Sequence, residues 1–546
     1  MKFNLRSFHN GFKGRYIHNF SHEEMANHIR GYFTELFGDS NGYGYHQIPG
    51  LECPKISEEQ RINFMKEADL EEVKRVVFSL NSFSSPGPDG LQAVVYKKFW
   101  DTVGSTITNF VNTSLRTGSI PAQILKANMV LIPKNEAPEV AGNFRPIILL
   151  NVVYKVISKL LVSRMRKWIG QIIGPFQSSF VPGRGTTDNI LITQEVVHSL
   201  ESRKGRKCGM IMKLDLQKAY DCLSWKFLEV TLTDFGFPME FTRLIMNSIR
   251  EMKIGIIWNE YILEDIQPKR GLRQRDLISP YLFILAMERL SHLISREVDA
   301  DRWKPIRVGK PGISISHLFF ADDLMLFGTA SREQIEVMMQ IMETFSFRSG
   351  LEINKDKSRV YLSPNIDGGT RSSLQNLSGI KPTTYLGKYL GAPIIHGRKS
   401  KDKCAFILGR VKQRLASWKE KVLNLAGRKT LVQSVTTAIP QYVMQSSLIL
   451  MSICDSIDKI NRNFLWGHKG DRSKIHLVNW DEVCKPKEEG GLGIRKAWYN
   501  NLALISKLGW DIMMDAQKLW VKVFKAKYIR NSSFFEITKK SRTSHT

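Results

Sequence analysis

The sequence has little of several features that define whole classes of protein. Only six cysteines occur among 546 residues, and no two of them form a CxxC pair. This excludes a disulfide scaffold and favours reduced thiols in a cytoplasmic or nuclear protein. No apolar run approaches the roughly 20 residues that span a bilayer, and the first residues lack the apolar core of a secretory signal. The chain also has no repeat of fixed period and no low-complexity linker.

Acidic residues are scarce relative to basic ones. The chain carries 79 Lys and Arg against 52 Asp and Glu, a formal net charge of +27. The excess is uneven, because residues 396–546 contain 29 basic and 12 acidic residues and so hold +17 of it. A charge of this size predicts a polyanionic partner, with nucleic acid favoured over an acidic membrane surface. The length predicts about three or four folded units.

Hydrophobic periodicity predicts an α+β protein with strands in the middle of the chain and helices at both ends. The predicted helices cover most of 57–80, with Ser57 as the cap, then 332–347, 401–418 and a stretch after 496. The predicted strands cover 129–134, 208–216 and two apolar segments within 313–328.

Two adjacent acids interrupt the last of these apolar segments. Asp322 and Asp323 follow Leu-Phe-Phe-Ala and precede Leu-Met-Leu-Phe, where an unpaired buried carboxylate costs several kcal/mol. An exposed hairpin tip or a bound metal ion would remove that cost, and the pattern alone leaves both open. Asp215 ends another predicted strand, so carboxylates at two strand ends can face one pocket. Mg²⁺ prefers such oxygen ligands, and a pair of ions about 4 Å apart supports phosphoryl transfer.

Eight motifs follow one another in a fixed order. They are SSPGPDG, FRPIILLNVVYKVISKLL, QSSFVPGRGTTDNI, KLDLQKAYD, RGLRQRDLISPYLF, FADD, SGLEINKDKS and YLGKYLGAPI. This order resembles the reverse transcriptase of non-LTR retrotransposons (long interspersed elements) in their plant form. The later stretches WKEKVLNLAGRKTLVQSV, FLWG and PKEEGGLGIR resemble the thumb and the connector that follow it.

The resemblance implies a right-hand polymerase fold with fingers, palm and thumb and a mostly helical basic C-terminal extension. The implied divisions are a linker and N-terminal helical extension at 1–69, fingers and palm at 70–395, a thumb at 396–450 and a truncated basic connector at 451–546. The implied activity is an RNA-directed DNA polymerase that extends a DNA 3′-OH on an RNA template by two-metal phosphoryl transfer, as in target-primed retrotransposition.

The resemblance also implies the partners of such an enzyme. They are an RNA template, a DNA primer, their RNA–DNA duplex, dNTPs and two Mg²⁺ ions, for which Mn²⁺ can substitute. No membrane partner is expected. A chromosomal target implies a nuclear location, with a cytoplasmic ribonucleoprotein as the alternative. Nothing ahead of residue 50 resembles a nuclease, so we expect the endonuclease to lie outside this chain.

Site residues carry over from the family motif by motif. The catalytic and metal-binding residues are Asp215, Asp322 and Asp323, with Asp323 the less direct ligand. Tyr220 falls where the family has an aromatic that blocks a ribose 2′-OH, although a core aromatic is the alternative. The implied nucleotide-binding residues are Lys134, Arg145, Tyr220, Gln274, Asp276 and Lys357, the last aligned with a lysine that protonates leaving pyrophosphate. The implied template contacts are Pro86, Gly87, Asp89 and Gly90.

The residues themselves leave other interpretations open for these positions. Lys134 and Arg145 also fit ordinary solvated cations, and Lys357 fits a surface-loop lysine. The SSPGPDG segment equally fits a plain turn, in which Gly87 and Gly90 permit turn conformations and Asp89 bonds nearby backbone amides.

Three residues depart from the family pattern. Arg275 stands where the family has Gly, Leu277 where it has Pro, and Ile148 where it commonly has Ser. Gly takes positive φ and admits a close ligand, whereas Arg is disfavoured there. A catalytically impaired relic that only binds nucleic acid is therefore the alternative function. A maturase-like splicing helper is a weaker alternative, because the stretches after residue 420 argue against it.

Overall fold

The computed structural model describes most of the chain, and the account below is restricted to that part. The described residues are 21–38, 48, 50–202, 208–310, 312–397, 400–416, 423–469, 472–473, 475–529 and 534–536. Parts of the predicted 1–69, 396–450 and 451–546 units lie outside these ranges, as do residues 417–418 of one predicted helix.

Helices dominate both ends of the described chain, as predicted. Those of six or more residues are His22–Leu36, Glu58–Met65, Leu70–Ser79, Ala93–Lys98, Trp100–Thr117, Val152–Met165, Thr186–Glu201, Trp225–Asp234, Met239–Arg250, Ser279–Asp299, Arg332–Ser349, Gly368–Ser378, Lys401–Ala416, Leu425–Leu431, Ala438–Met444, Met451–Trp466, Ala497–Met513 and Leu519–Phe524. The shorter ones are Ala122–Leu125, Ile169–Ile172, Ala219–Cys222 and Trp480–Val483. None of the described helices is long and apolar enough to cross a bilayer.

The helix predicted over 57–80 is interrupted. Ser57 caps the first helix as expected, because its side chain accepts a hydrogen bond from the Gln60 amide. The helix ends at Met65, and the Asn112 side chain then bonds both the N–H and the C=O of Ala68, at 2.8 and 3.0 Å. Asp69 caps the second helix. A residue 44 positions away therefore fixes the break.

The described strands lie mostly between the helical ends, with two short ones among the C-terminal helices. They are β1 (Ala127–Pro133), β2 (Phe144–Leu149), β3 (Gly209–Asp215), β4 (Ile254–Trp258), β5 (Tyr261–Ile262), β6 (Ile306–Val308), β7 (Ile313–Ile315), β8 (His317–Phe320), β9 (Asp323–Thr329), β10 (Arg359–Leu362), β11 (Pro382–Thr383), β12 (Lys388–Tyr389), β13 (Ala392–Pro393), β14 (His468–Lys469) and β15 (Arg472–Ser473).

Two larger sheets organise these strands. One has the order β2-β1-β4-β5, and the other has the order β11-β10-β3-β9-β8. The remaining described strands form the pairs β6–β7, β12–β13 and β14–β15. The apolar segment 313–328 thus contains three strands rather than the predicted two, because β7 pairs with β6 in a separate small sheet.

The five-stranded sheet is buried on both faces. Along β3, Met210 and Met212 belong to the largest apolar core, whereas the intervening Ile211 belongs to a second core on the opposite face. That second core includes Trp520 and Val521 from the far C-terminal part of the chain. Burial on both faces explains why the first four residues of this strand are an uninterrupted apolar run.

The C-terminal helices form two further apolar clusters. One contains Cys404, Ile407 and Cys454, and the other contains Val411 and Phe464. Both clusters join the helices Lys401–Ala416 and Met451–Trp466, which therefore pack along each other.

Candidate active site

The candidate acids lie at one end of the five-stranded sheet. β3 and β9 pair antiparallel, and their last register pair is Asp215 with Asp323. β8 and β9 form a hairpin in which Phe320 pairs with Asp323, so Ala321 and Asp322 make the turn. Ala321 adopts a left-handed φ of +52°. The sequence prediction that the two apolar strands meet at this point is confirmed.

A cavity of about 740 Å³ opens in front of these strand ends. Its walls include Asp215, Asp322 and all six residues assigned to nucleotide binding, Lys134, Arg145, Tyr220, Gln274, Asp276 and Lys357. Residues from well-separated motifs are thus brought together. Asp323 is not among the lining residues, and its role as the less direct ligand stays a prediction.

Electrostatic coupling links the three acids. Desolvation raises the pKa of the Asp322 carboxyl, and the negative charge of Asp215 adds to this effect. The pKa of Asp323 is also raised, first by desolvation and then by the charge of Asp322. Lys213, two residues before Asp215 on β3, lies near Asp323 and partly compensates that carboxylate.

These carboxylates fit a Mg²⁺ site that needs substrate to be complete. In the part of the chain that the structure describes, no three His, Cys, Asp or Glu side chains are already grouped to hold a metal ion. Mg²⁺ is usually bound by one or two carboxylates plus water and substrate phosphates, and it does not need a cage made of protein alone. Asp215 and Asp322 facing one cavity match that requirement, and the repulsion between their charges favours a cation between them.

Basic side chains from the β1–β2 region also line the cavity. Ile132 and Arg145 are paired on the β1–β2 hairpin, and Lys134 follows directly after β1. The Lys134 Nζ donates a 2.8 Å hydrogen bond to the Gly142 carbonyl, which holds the ammonium at the cavity. Burial lowers the pKa of Lys134, although the nearby carboxylate of Asp221 opposes the shift.

Tyr220 makes a core contact and also lines the cavity, while its role against a ribose 2′-OH stays a prediction. Its ring stacks on Phe283 with centroids 4.6 Å apart and an interplanar angle of 15°, which is a core contact. The same side chain lines the cavity. Stacking on Phe283 restrains rotation of the Tyr220 side chain, so the ring keeps its position at the cavity wall.

Lys357 is both a surface lysine and a cavity residue. Its side chain is 71% exposed, and its Nζ lies 3.9 Å from a carboxylate oxygen of Asp215. An exposed pair at this distance contributes little to stability. It does place an ammonium beside the Asp215 carboxylate in the cavity.

Residues 273–276 form another wall of the cavity, and buried polar contacts anchor them. Asp276 is fully buried, and its carboxylate pairs with Arg273 at 2.7 Å. The same carboxylate accepts hydrogen bonds from Tyr154 at 3.0 Å and Ser158 at 2.8 Å. Asp276 therefore holds the loop in place. Gln274, two residues earlier, lines the cavity.

Arg275 sits at the apex of this anchored loop with φ of +78°. This is the left-handed region that the family's glycine takes without strain. The side chain is exposed and lines the cavity. Ile148, another departure, is buried, and its backbone N–H bonds the Gln274 carbonyl at 3.2 Å. That contact uses backbone, so the missing serine side chain is not required for it. Leu277 is half-buried.

The SSPGPDG segment does not line the cavity. Gly90 adopts φ of +71°, and Asp89 Oδ1 accepts a 3.0 Å bond from the Leu91 amide, as a turn predicts. Gly87 has a different reason to be glycine, because a Cβ there would lie 2.4 Å from the backbone nitrogen of Asn151. Pro86 and Asp89 flank this contact. Their role as template contacts stays a prediction.

Asp221 is one of several cavity residues that were not predicted from the sequence. Asp221 is 6% exposed, and Gln274 Nε2 donates to its Oδ1 at 2.9 Å. Burial raises its pKa to about 6, while Gln274, Lys134 and Lys218 act in the opposite direction. The residue lies within the KLDLQKAYD motif, so a signal was present. Its contact with Gln274 spans 53 positions and has no local sequence pattern.

Comparisons with known proteins show which sequences this chain resembles. Residues 132–394 match the family model for reverse transcriptase (RNA-dependent DNA polymerase). A putative ribonuclease H protein of Arabidopsis thaliana is 43% identical over 136 residues, covering 25% of this chain and 22% of that protein. An uncharacterized 149 kDa protein of transposon TX1 from Xenopus laevis is 26% identical over 81% of this chain and 33% of its own length.

A third relative belongs to another mobile element. It is the retrovirus-related Pol polyprotein from the type-2 retrotransposable element R2DM of Drosophila melanogaster, 31% identical over 75% of this chain and 38% of the polyprotein. The chain thus spans between about a fifth and two fifths of the length of these relatives.

Proposed function

We infer that this chain, whose residues 132–394 match the reverse transcriptase family and whose relatives include Pol proteins of non-LTR retrotransposons, extends a DNA 3′ end on an RNA template. The observation that carries the proposal is the cavity at the β3–β9 end. It combines two carboxylates, several cations and a fixed aromatic ring. Phosphoryl transfer mainly requires such positioning and charge stabilisation.

Asp215 and Asp322 are the residues that would hold Mg²⁺, with Asp323 as a more distant carboxylate. When bound, two such ions would lower the pKa of the primer 3′-hydroxyl and stabilise charge on the leaving pyrophosphate. The chain's own contribution is to pair Asp215 with Asp323 across β3 and β9 and to carry Asp322 in the adjoining turn.

The remaining cavity residues orient the incoming nucleotide. Lys134 and Arg145 bind triphosphate oxygens, Arg by paired donors and Lys as a point charge. Tyr220, held by Phe283, excludes a 2′-hydroxyl and so selects dNTPs. Lys357 donates a proton to the pyrophosphate as it leaves.

The basic residues of 396–546 bind the phosphates of the template–primer duplex. Such binding falls steeply with salt and depends little on base sequence. We propose target-primed synthesis on chromosomal DNA in the nucleus, as part of a plant element. The endonuclease for that reaction is assigned to a separate polypeptide or region.

A nucleic-acid-binding relic is the second candidate, and one observation favours it. Arg275 projects into the cavity from a strained backbone at the place where the family's glycine leaves room. In that case duplex binding persists while nucleotide incorporation is lost.

An assay with two readouts separates the candidates. Purified chain is given an RNA template with an annealed DNA primer, dNTPs and Mg²⁺, and both extension and duplex binding are measured. We expect extension by the wild type and at least roughly a 1,000-fold loss for Asp322→Asn, of the order expected when a group central to a catalytic site is removed, with duplex affinity retained. Duplex binding without extension by the wild type supports the relic. Loss of binding in Asp322→Asn would mean that this carboxylate is structural.

A further inference from the structure

The turn that carries Asp322 is held by residues 176–179, which overlap the start of the motif QSSFVPGRGTTDNI. Residues 176–179 run beside β8, where the Phe319 N–H bonds the Phe176 carbonyl at 2.8 Å and the Ser178 N–H bonds the Phe319 carbonyl at 3.1 Å. Gln177 and Phe319 form a parallel bridge. The segment acts as one more short strand at the edge of the sheet.

Beyond this bridge the contacts change from backbone to side chains. Ala321 N–H lies past the last hairpin pair, so the β8–β9 ladder offers it no acceptor. It donates instead to Ser179 Oγ at 2.8 Å and to Gln177 Oε1 at 3.3 Å. Both side chains belong to residues that are 1% exposed. A buried backbone N–H without these acceptors would lack a hydrogen-bond partner, which would destabilise the turn.

The two acceptor residues are also hydrogen-bonded to each other. Gln177 Oε1 accepts from the Ser179 amide at 3.0 Å and from the Ser179 hydroxyl at 2.9 Å. The serine oxygen is therefore oriented with its lone pair toward Ala321, since its proton is used on Gln177. Two side chains, 142 and 144 positions away in sequence, thus meet at one amide.

The backbone is strained on both sides of this contact, which indicates that the surrounding contacts hold the Ala321 turn in its conformation. Ala321 has φ of +52° and Phe180, next to Ser179, has φ of +58°. A left-handed backbone is unfavourable for a non-glycine residue, and such residues persist only where surrounding contacts over-determine them. The strained Ala321 directly precedes Asp322, so its conformation sets the direction of that carboxylate.

We propose that Gln177 and Ser179 are positioning residues that aim the Asp322 carboxylate at the metal through the Ala321 amide. The proposal rests on the proposed function for the identity of the ligand, a divalent cation. Loss of either acceptor lets the turn relax toward unstrained φ, which moves the carboxylate without removing it. Partners of this kind, one step outside the metal ligands, typically change metal affinity by about 10–100-fold.

Ser178 provides a matched control one residue away. It is also a buried serine, but its hydroxyl donates to Asn189 Oδ1 at 2.6 Å and does not contact the turn. Ser178→Ala and Ser179→Ala therefore remove the same group from the same segment, and only the second removes an acceptor of Ala321. Gln177→Met keeps side-chain length while removing the other acceptor.

The test measures Mn²⁺ affinity by electron paramagnetic resonance on the full chain with duplex, beside the Mg²⁺ dependence of extension. We expect Ser179→Ala and Gln177→Met to weaken Mn²⁺ binding and to raise the Mg²⁺ midpoint about 10-fold, with duplex affinity unchanged. Ser178→Ala should stay within about twofold of wild type in each readout, since it leaves both acceptors of Ala321 in place. Ser179→Thr, which keeps the oxygen, should restore the Ser179→Ala loss.

Equal Mn²⁺ affinity in all variants would overturn the proposal. So would equal losses in Ser178→Ala and Ser179→Ala, including loss of duplex binding in both, because the segment would then be merely structural. A wild-type chain that binds duplex without extending it would count against the proposed function, while the Mn²⁺ comparison would still decide the positioning role.

Discussion

Replacing Arg275 by glycine separates a backbone effect from a side-chain effect at the cavity. The residue holds φ of +78°, where an L-residue costs about 1–2 kcal/mol and glycine is unstrained. Glycine also gives the unfolded chain about 0.4–1 kcal/mol of extra entropy. The net gain in stability for Arg275→Gly is therefore about 0.5–1 kcal/mol, or about 1–4 °C in the melting temperature of a domain of this size.

Arg275→Ala is the matched control. It removes the guanidinium from the cavity as glycine does, but it keeps a Cβ at positive φ and so keeps the strain. Calorimetry on both variants should place Arg275→Gly above Arg275→Ala, while both lower the KM for dNTPs to a similar degree. Equal melting temperatures for the two variants would refute the strain argument. An unchanged KM in both would refute the claim that the guanidinium obstructs the pocket.

Further predictions concern other cavity and core residues. The double variant Arg275→Gly with Leu277→Pro should show higher extension activity than wild type. Equal activity would contradict the argument that Arg275 and Leu277 impair the cavity. Tyr220→Ala should lower the dNTP-over-rNTP ratio of kcat/KM about 10-fold, whereas an unchanged ratio removes its gate role. Glu288 is buried, which raises its pKa from 4.5 to about 7, so stability is lost as pH rises between these two values. The free energy of unfolding of Glu288→Gln should therefore exceed that of wild type by up to about 3 kcal/mol at about pH 8, with little difference at about pH 4. Equal stability of the two proteins at both pH values would contradict the burial argument. Ser158→Ala removes a bond to Asp276 and should cost about 1–2 kcal/mol in urea unfolding; a neutral result would mean that the loop anchor is redundant.

The parts of the fold that can be predicted from sequence are those encoded locally. β3 and β9 are apolar runs that each end or begin at an acid, and that pattern alone indicates Asp215 and the Asp322–Asp323 pair as candidate ligands. The Ser57 cap is equally visible, because a capping residue acts within three positions of itself. The site motifs are recognisable because each is a contiguous string.

The features that cannot be predicted this way depend on pairing across long separations. The break after Met65 is fixed by Asn112, and the Asp221 carboxylate is recognised only through its bond to Gln274. Gln177 begins one of the eight motifs, yet nothing local indicates that its side chain reaches Ala321. Periodicity indicates which face of an element is buried, and it cannot indicate which distant polar group meets that face.

The most direct test of the central claim is dNTP incorporation by the wild-type chain on an RNA template with an annealed DNA primer, in Mg²⁺ and then in EDTA. The assignment of the β3–β9 cavity as a polymerase site predicts primer extension in Mg²⁺, its complete loss in EDTA and its recovery when Mg²⁺ is restored. Salt-sensitive duplex binding with no extension under any metal would contradict the account and identify a folded relic.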